Sequence, residues 1–346
     1  MRTGPVVHGV LLGAALGVAW WTWTRDKTVA PATATLTIWP DGGAVESLAL
    51  HGPLRDLSVE KKAEGDYYWA TLTKTTPPPA KPAAPDGGVA MSVLEDKGTT
   101  TKQAFPIGDE GEKTLGRFAP LKALRDLGAK ASKEEYGFGD ESDQLTVKIG
   151  GKSHALTLGA RVFGGDDRYV LEPTGGHVFV VAGEVLRPFD APEFSLRERK
   201  LHGFQPGDVG EAVVRAGDKE KKLVHVPKAP PAEGAAPPAR PPAGMTWADA
   251  KTPDKPDQTL ANFMDRIEAL APMEYGQTPD GLNAVGTIEY HGKDGKVLGS
   301  VELSKKPAEK AGQFEYYVKS EKTHGLAKVS PAAGGRVDQD LAQVLQ

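Results

Sequence analysis

The feature that most constrains the fold is a run of alternating apolar residues within positions 145–201. Leu145, Val147 and Ile149 alternate with polar residues, the pattern of a strand that buries one face. Further along, two glycines at positions 175 and 176 separate two short apolar segments, which predicts a hairpin. The stretch is therefore expected to form four strands and a short helix. These elements are predicted at residues 145–149, 156–158, 169–171, 178–181 and 183–189.

A fainter copy of the same order of elements recurs towards the C-terminus. In each half, predicted strands and a proline-rich block precede a helix, the tripeptide Glu-Tyr-Gly, four strands and a final helix. The tripeptide stands at residues 135–137 and again at 274–276. Self-similarity of this kind indicates a tandem repeat. Before the first tripeptide, a helix is predicted over residues 111–128, kinked or divided into two short helices by Pro120. Before the second, a helix is predicted after Asp257, which is a favourable N-cap residue.

The predicted fold class is α+β. We expect an N-terminal transmembrane helix in residues 1–27, then two tandem α+β units over residues 28–201 and 202–346. In each unit, helices would pack on one face of a mixed or antiparallel sheet. Because proline fits neither a ladder nor a helix interior, the proline-rich blocks are expected to be insertions. These blocks occupy residues 77–88 and 227–242.

Residues 5–24 carry no formal charge, and 20 residues is about the length that a helix needs to cross a bilayer. Trp20, Trp21 and Trp23 would form an aromatic belt at one end of that helix. A cleavable signal peptide is the alternative. Its only candidate cleavage motif, at residues 32–34, lies well beyond the tryptophans, so an uncleaved anchor is predicted.

Gly9, Gly13 and Gly17 repeat at four-residue spacing, which places them on one face of the predicted anchor. Small residues on such a face let two membrane helices approach closely, so pairing with a second helix, for instance in a homodimer, is one interpretation. The alternative is that glycine is simply common in membrane helices.

Composition and motifs exclude several classes of function. The 42 basic and 46 acidic residues nearly cancel, which argues against nucleic acid as a partner. There is no cysteine, so disulfides, thiolate metal sites and thiol nucleophiles are absent. The eight histidines form no H-x-x-x-H or H-E-x-x-H pair, and no nucleophile elbow, P-loop or dinucleotide fingerprint is present. We therefore predict a protein that is not an enzyme, without catalytic, cofactor-binding or metal-ligating residues.

The central stretch resembles a bacterial family known as domain of unknown function 4340. The resemblance is carried by a tyrosine-glycine pair after a helix, a leucine-glycine turn, a tyrosine strand, a valine-rich strand, a short helix and a basic run. These features stand at residues 136–138, 158–159, 168–170, 177–181, 185–186 and 196–201. In the family, the tyrosine-glycine pair is followed by a leucine. The second copy departs from this pattern, because residues 273–277 contain no leucine.

This resemblance implies a single-pass envelope protein, of a kind often found with ABC-type transport components of the gliding-motility type. It implies no catalytic residues. Arg197, Arg199 and Lys200, within the basic run, could form a contact patch for a partner or for anionic headgroups. A solvated face is the alternative interpretation of such a run.

The predicted function is that of a non-enzymatic protein anchored in the inner membrane, with the bulk of the chain in the periplasm. Its duplicated ectodomain would bind protein partners in the envelope, as an accessory of an ABC-type transport or gliding-motility machine. The alternative is a periplasmic module that binds a lipid or a glycan in a groove between the two units.

The predicted orientation can be tested with a single introduced cysteine, because the chain contains no other. We expect Ser330→Cys to react with a membrane-impermeant thiol reagent in intact cells, since long domains after an N-terminal anchor are usually exported. Labelling that occurs only after lysis would contradict this topology.

Overall fold

The computed structural model describes residues 36–77, 98–129, 131, 133–228, 244–276 and 278–346. Of these residues, 45% lie in strands and 18% in helices, and the sheets are antiparallel. The predicted α+β class with mixed sheets is therefore wrong: the described chain is mostly β. The physical reason is that most neighbouring strands follow one another along the chain through short turns, which can join only antiparallel strands.

The described residues form nineteen strands and five α-helices. The strands of the first half are β1 Leu36–Trp39, β2 Val45–Gly52, β3 Arg55–Lys61, β4 Tyr68–Thr76, β5 Thr99–Pro106, β6 Leu121–Ala123, β7 Arg125–Gly128, β8 Gln144–Ile149, β9 Lys152–Arg161, β10 Arg168–Leu171 and β11 Val178–Val181. Those of the second half are β12 Val209–Ala216, β13 Lys219–Pro227, β14 Met245–Asp249, β15 Glu274–Tyr275, β16 Asn283–Gly292, β17 Val297–Pro307, β18 Phe314–Lys319 and β19 Ala327–Val329. The helices are α1 Asp109–Gly116, α2 Gly183–Leu186, α3 Pro192–Ser195, α4 Gln258–Glu268 and α5 Pro331–Val344.

The two large sheets share one order of strands apart from a single additional strand. The first runs β5-β4-β3-β2-β8-β9-β10-β11-β7, and the second runs β14-β13-β12-β16-β17-β18-β19-β15. In each sheet a three-stranded meander, β2–β4 or β12–β14, pairs through its first strand with a four-stranded meander, β8–β11 or β16–β19. The last strand of the four-stranded meander pairs with a short strand, β7 or β15. β5 has no counterpart in the second sheet. It forms one edge of the first, while β1 and β6 pair separately.

The hairpin between β8 and β9 illustrates how the local sequence sets this order. Only Gly150 and Gly151 separate the two strands, and both have positive φ, 55° and 78°. A two-residue hairpin turn of this kind requires positive φ at both positions, which glycine adopts without strain. The predicted hairpin between β10 and β11 is also confirmed, with Tyr169 opposite Val180.

The helix predictions were confirmed in one unit and wrong in part in the other. Asp257 caps α4 by accepting a hydrogen bond from the Thr259 amide at 2.7 Å. The helix predicted over residues 111–128, however, ends at Gly116, and its second half forms β6 and β7. Pro120 lacks an amide proton and disfavours helical backbone in the residue before it, so the helix cannot continue through this point.

The first Glu-Tyr-Gly tripeptide packs against β9. The Ala160 amide donates to the Tyr136 carbonyl at 2.8 Å, and a Cβ added at Gly159 would lie 2.5 Å from that same oxygen. Leu158 and Gly159, expected at a turn, therefore lie inside a strand where only glycine leaves room for the neighbouring backbone.

Most of the buried apolar side chains form a continuous cluster that includes residues of both sheets, and Phe138, Leu171 and Val178 form a small second one. Leu48 and Val147 contribute from the first sheet, Val214 and Ile288 from the second, and Leu341 from α5. Burial of this kind contributes roughly 25 cal/mol per Å² of apolar surface and holds the sheets in one packed body. The predicted boundary between residues 201 and 202 falls between the two sheets, and the division into two units stays a prediction.

The predicted anchor, with Gly9, Gly13 and Gly17, lies outside the described residues, as do most of both proline-rich blocks. In the part of the chain that the structure describes, no helix combines the length and apolar character that crossing a bilayer requires.

We expect Phe118→Ala to lower the free energy of unfolding by about 3–5 kcal/mol, the usual cost of a large cavity in a core. The Phe118 ring is fully buried and packs edge-on against Phe189, with centroids 5.8 Å apart. Urea unfolding of the full-length chain measures the effect. Phe163→Ala is the matched control, because that ring is fully exposed, and it should change stability by less than about 0.5 kcal/mol. Equal losses in the two variants would contradict the assigned core.

Candidate functional site

Residues 196–202, the junction segment, connect the first half of the chain to the second. Part of its backbone pairs with the chain at the end of β5. Arg197 and Ile107 form an antiparallel bridge. The Glu198 amide donates to the Pro106 carbonyl at 2.9 Å. The junction segment therefore occupies one end of the outer edge of the first sheet.

Glu198 also connects this segment to the second sheet. The residue is only 4% exposed. Its carboxylate accepts hydrogen bonds from the backbone amides of Arg199 and Lys200, both at 2.8 Å. Its backbone carbonyl accepts the hydroxyl of Tyr275, in β15, at 2.7 Å. Burial raises the pKa of Tyr275, so the hydroxyl stays protonated and donates. A buried carboxylate is costly unless it is hydrogen-bonded, and these bonds meet that requirement.

Asp109, the first residue of α1, forms ion pairs with the junction segment and with the second half of the chain. It accepts hydrogen bonds from Lys322 at 2.8 Å and Lys200 at 3.0 Å. Lys322 follows β18 in the second sheet, and Lys200 belongs to the junction segment. These two ammonium groups lower the pKa of Asp109 to about 2. The ion pairs therefore tie the first helix to both halves of the chain.

The structure places the predicted contact patch at this junction. The Arg197 guanidinium donates to the Met273 carbonyl at 2.6 Å, and that of Arg199 donates to the Phe194 carbonyl at 3.0 Å. Lys200 bonds to Asp109 as described. Burial lowers the pKa of Arg197, but an arginine stays charged in proteins. All three side chains thus make contacts within the chain, and their contact with a partner stays a prediction.

A cleft of about 440 Å³ opens beside the junction segment, between the first sheet and the second. It is lined by residues 101–105 of β5, by residues 273–275 before and within β15, and by Glu193, Phe194 and Arg197. The volume lies in the range of pockets that hold small ligands or side chains of a partner.

The cleft combines exposed apolar side chains with unsatisfied polar atoms. Phe194 is 63% exposed and Met273 is 51% exposed. Glu193 is only 8% exposed and bonds to Lys74 through one oxygen. Its other oxygen and Nε of Arg197 are buried without a hydrogen-bond partner among the described residues. Because these two polar atoms are out of reach of solvent, the surface that the cleft offers to a ligand is that of the exposed Phe194 and Met273 side chains.

No catalytic or metal-binding arrangement emerges from the described residues. Within the described ranges, no three His, Asp or Glu side chains are grouped so that they could hold a metal ion. Five of the described histidines instead pair with a carboxylate, among them His177 with Asp126 at 3.1 Å and His202 with Glu321 at 3.0 Å. The arrangement in the cleft is suited to binding. The absence of enzymatic activity stays a prediction.

A groove between the two units was one of the predictions, but most of the residues that line the cleft were missed, because they come from distant parts of the chain. Residues 99–103 read Thr-Thr-Thr-Lys-Gln and lack the apolar alternation that identifies most strands. The β-branched threonines were the available signal, since such residues favour strands. No sequence signal distinguishes Phe194 and Met273, which are exposed, from apolar residues in the core.

Comparison with known proteins gives a family match for the middle of the chain. Residues 112–280 match the model of a family described as Domain of unknown function (DUF4340). The match supports the family resemblance. It includes most of α1, the junction segment and both Glu-Tyr-Gly tripeptides, whereas β5 precedes it. No curated protein and no solved structure matches the chain.

We expect Asp109→Asn to lower the free energy of unfolding at pH 7 by about 1 kcal/mol or less, the usual value for a partly exposed ion pair. Because folding lowers the pKa of Asp109 from 3.8 to about 2, this stabilisation is present above about pH 4 and is lost as the pH falls towards 2. The difference between wild type and variant should shrink over the same range in urea unfolding.

Asp254→Asn, at an exposed turn, is the control for this series. It should unfold like the wild type across the whole pH range. A cost of Asp109→Asn that stays constant down to pH 2 would contradict the assigned ion pairs.

Proposed function

We propose that the chain is a non-enzymatic binding protein whose two-sheet body binds protein partners through the cleft. The observation that supports this proposal is that two exposed apolar side chains, Phe194 and Met273, line the cleft beside the charged residues Glu193 and Arg197. Protein-binding sites typically combine apolar anchors with a few polar groups that fix orientation.

The cellular setting is part of the same proposal. The uncharged residues 5–24 support a single-pass anchor in the inner membrane with the body in the periplasm, and the glycine face of that segment supports pairing of two anchors. The family resemblance supports partners among ABC-type transport components of the gliding-motility type, with this chain as an accessory subunit.

A lipid or a glycan is the second candidate ligand. The supporting observation is that the cleft lies between the two sheets, where such a groove was expected, and that it exposes the Phe194 ring. An exposed aromatic ring offers a flat apolar surface to which a sugar or an acyl chain can pack.

We expect the double variant Phe194→Ala, Met273→Ala to lower recovery of the partner at least about tenfold, because truncating two apolar anchors commonly costs more than 1 kcal/mol each. Affinity purification of the full-length chain from native membranes, followed by quantitative mass spectrometry, measures the recovery.

The matched control is Phe163→Ala, Val297→Ala, which truncates two exposed apolar side chains outside the cleft. Equal recovery with the cleft variant and the control would contradict the proposed site. A small molecule that is retained by the wild type in native mass spectrometry, and lost in the cleft variant, would favour the second candidate.

A further inference from the structure

The pairing of β5 with β4 shows which residues of β5 point their backbone N–H and C=O groups outward. The Ile107 amide donates to the Tyr68 carbonyl at 2.9 Å, so residue 107 points towards β4. β5 pairs with β4 in continuous register without a bulge. Because successive residues of a strand point their backbone groups to opposite sides, Thr100, Lys102 and Ala104 direct theirs away from β4.

One end of this edge is already paired. The Pro106 carbonyl accepts the Glu198 amide at 2.9 Å, and the Gly108 amide donates to the Leu196 carbonyl at 2.8 Å. Towards the start of β5 the pairing stops. No described residue bonds to the outward amides or carbonyls of Thr100, Lys102 and Ala104. Beyond the residues that pair with the junction segment, the outer edge of β5 is therefore unpaired and borders the cleft.

The corresponding edge of the second sheet is closed. There, the Asp257 amide donates to the Trp247 carbonyl of β14 at 2.9 Å, and Pro256 bridges Ala248. Proteins usually protect free edges with proline, bulges or several charges. Between Thr99 and Ala104, β5 has a single charge, at Lys102, and no proline. The strand that lacks a counterpart in the second sheet thus also has an edge that the described residues leave unprotected.

We propose that this edge accepts an extended peptide segment of a partner protein as an additional strand. The inference rests on the proposed protein-binding function and names its mode. The backbone of the peptide would pair with Thr100 and Lys102. A bulky apolar side chain would contact Phe194 and Met273, as in other cases of strand addition, where backbone bonds supply affinity and side-chain pockets supply specificity.

The charges of the cleft indicate the chemistry of that segment. Lys102 and Arg197 are balanced by Glu193 and Glu274 among the lining residues. A strongly charged peptide would therefore meet repulsion from one of the two pairs, so an uncharged segment with one large apolar side chain fits best.

The first test uses a defined probe: the capped, dye-labelled heptapeptide Gln-Thr-Val-Phe-Val-Thr-Gln, with Leu, Val and Tyr versions at its centre. Binding to the full-length chain in detergent is followed by fluorescence anisotropy. Two further versions carry N-methyl groups on alternate residues. Since a strand uses the amides of one edge only, we expect one methylated set to weaken binding at least about tenfold and the other to leave it unchanged.

The second test uses matched variants of the protein. Lys102→Pro removes an outward amide without touching the ladder with β4, and proline is tolerated on such an edge. We expect it to weaken peptide binding at least about tenfold. Lys102→Ala keeps the amide and should bind within about twofold of the wild type. If Lys102→Pro fails to fold in urea unfolding, the two methylated peptides on the wild type decide.

Three results would overturn strand addition: equal binding by Lys102→Pro and Lys102→Ala, equal effects of both methylated sets, or no binding by any of the four central versions at about 1 mM. These three results test only the mode of binding and do not depend on the double variant Phe194→Ala, Met273→Ala. Partner recovery with that variant judges the proposed function separately, so failure of the mode and failure of the function are distinguishable.

Discussion

The pairing between the end of β5 and the junction segment is the interaction on which the arrangement of the two sheets depends. The bridge between Ile107 and Arg197 places Glu198 where its carbonyl receives the Tyr275 hydroxyl from the second sheet. Without that bridge, the buried Tyr275 hydroxyl would lose its acceptor. Removing one partner of a buried polar group costs more than the bond itself is worth, so these contacts form or fail as a set.

The two halves share an order of strands, and the candidate site lies where they differ. Both sheets join a three-stranded to a four-stranded meander, which buries a continuous core. In the second sheet, residues after β14 fold back and satisfy its edge. In the first, β5 is added to the edge, and only its end is covered. The shared part of each sheet supplies a rigid frame, and the additional strand supplies the unpaired backbone that borders the cleft.

The charges near the junction contribute mainly to internal structure. Asp109 receives Lys200 and Lys322, while the guanidinium of Arg197 bonds to the carbonyl of Met273. A run such as Arg-Glu-Arg-Lys can therefore be basic in sequence and still present little unpaired charge to a partner. This leaves the neutral, partly apolar cleft beside it as the better surface for binding, because desolvating unpaired charges would oppose association there.

The sequence by itself determined the local elements. Two glycines between alternating apolar segments specify the β8–β9 hairpin, and Asp257 starts α4, because turn conformations and helix caps depend on neighbouring residues. The sequence-based prediction was wrong at residues 121–128, where the leucines have the spacing of a helix. After Pro120 these residues form β6 and β7, which belong to two different sheets. Only the tertiary structure decided that β5 is an open edge and that Phe194 and Met273 border one cleft. These features depend on pairings between residues far apart in the chain, which no local pattern encodes.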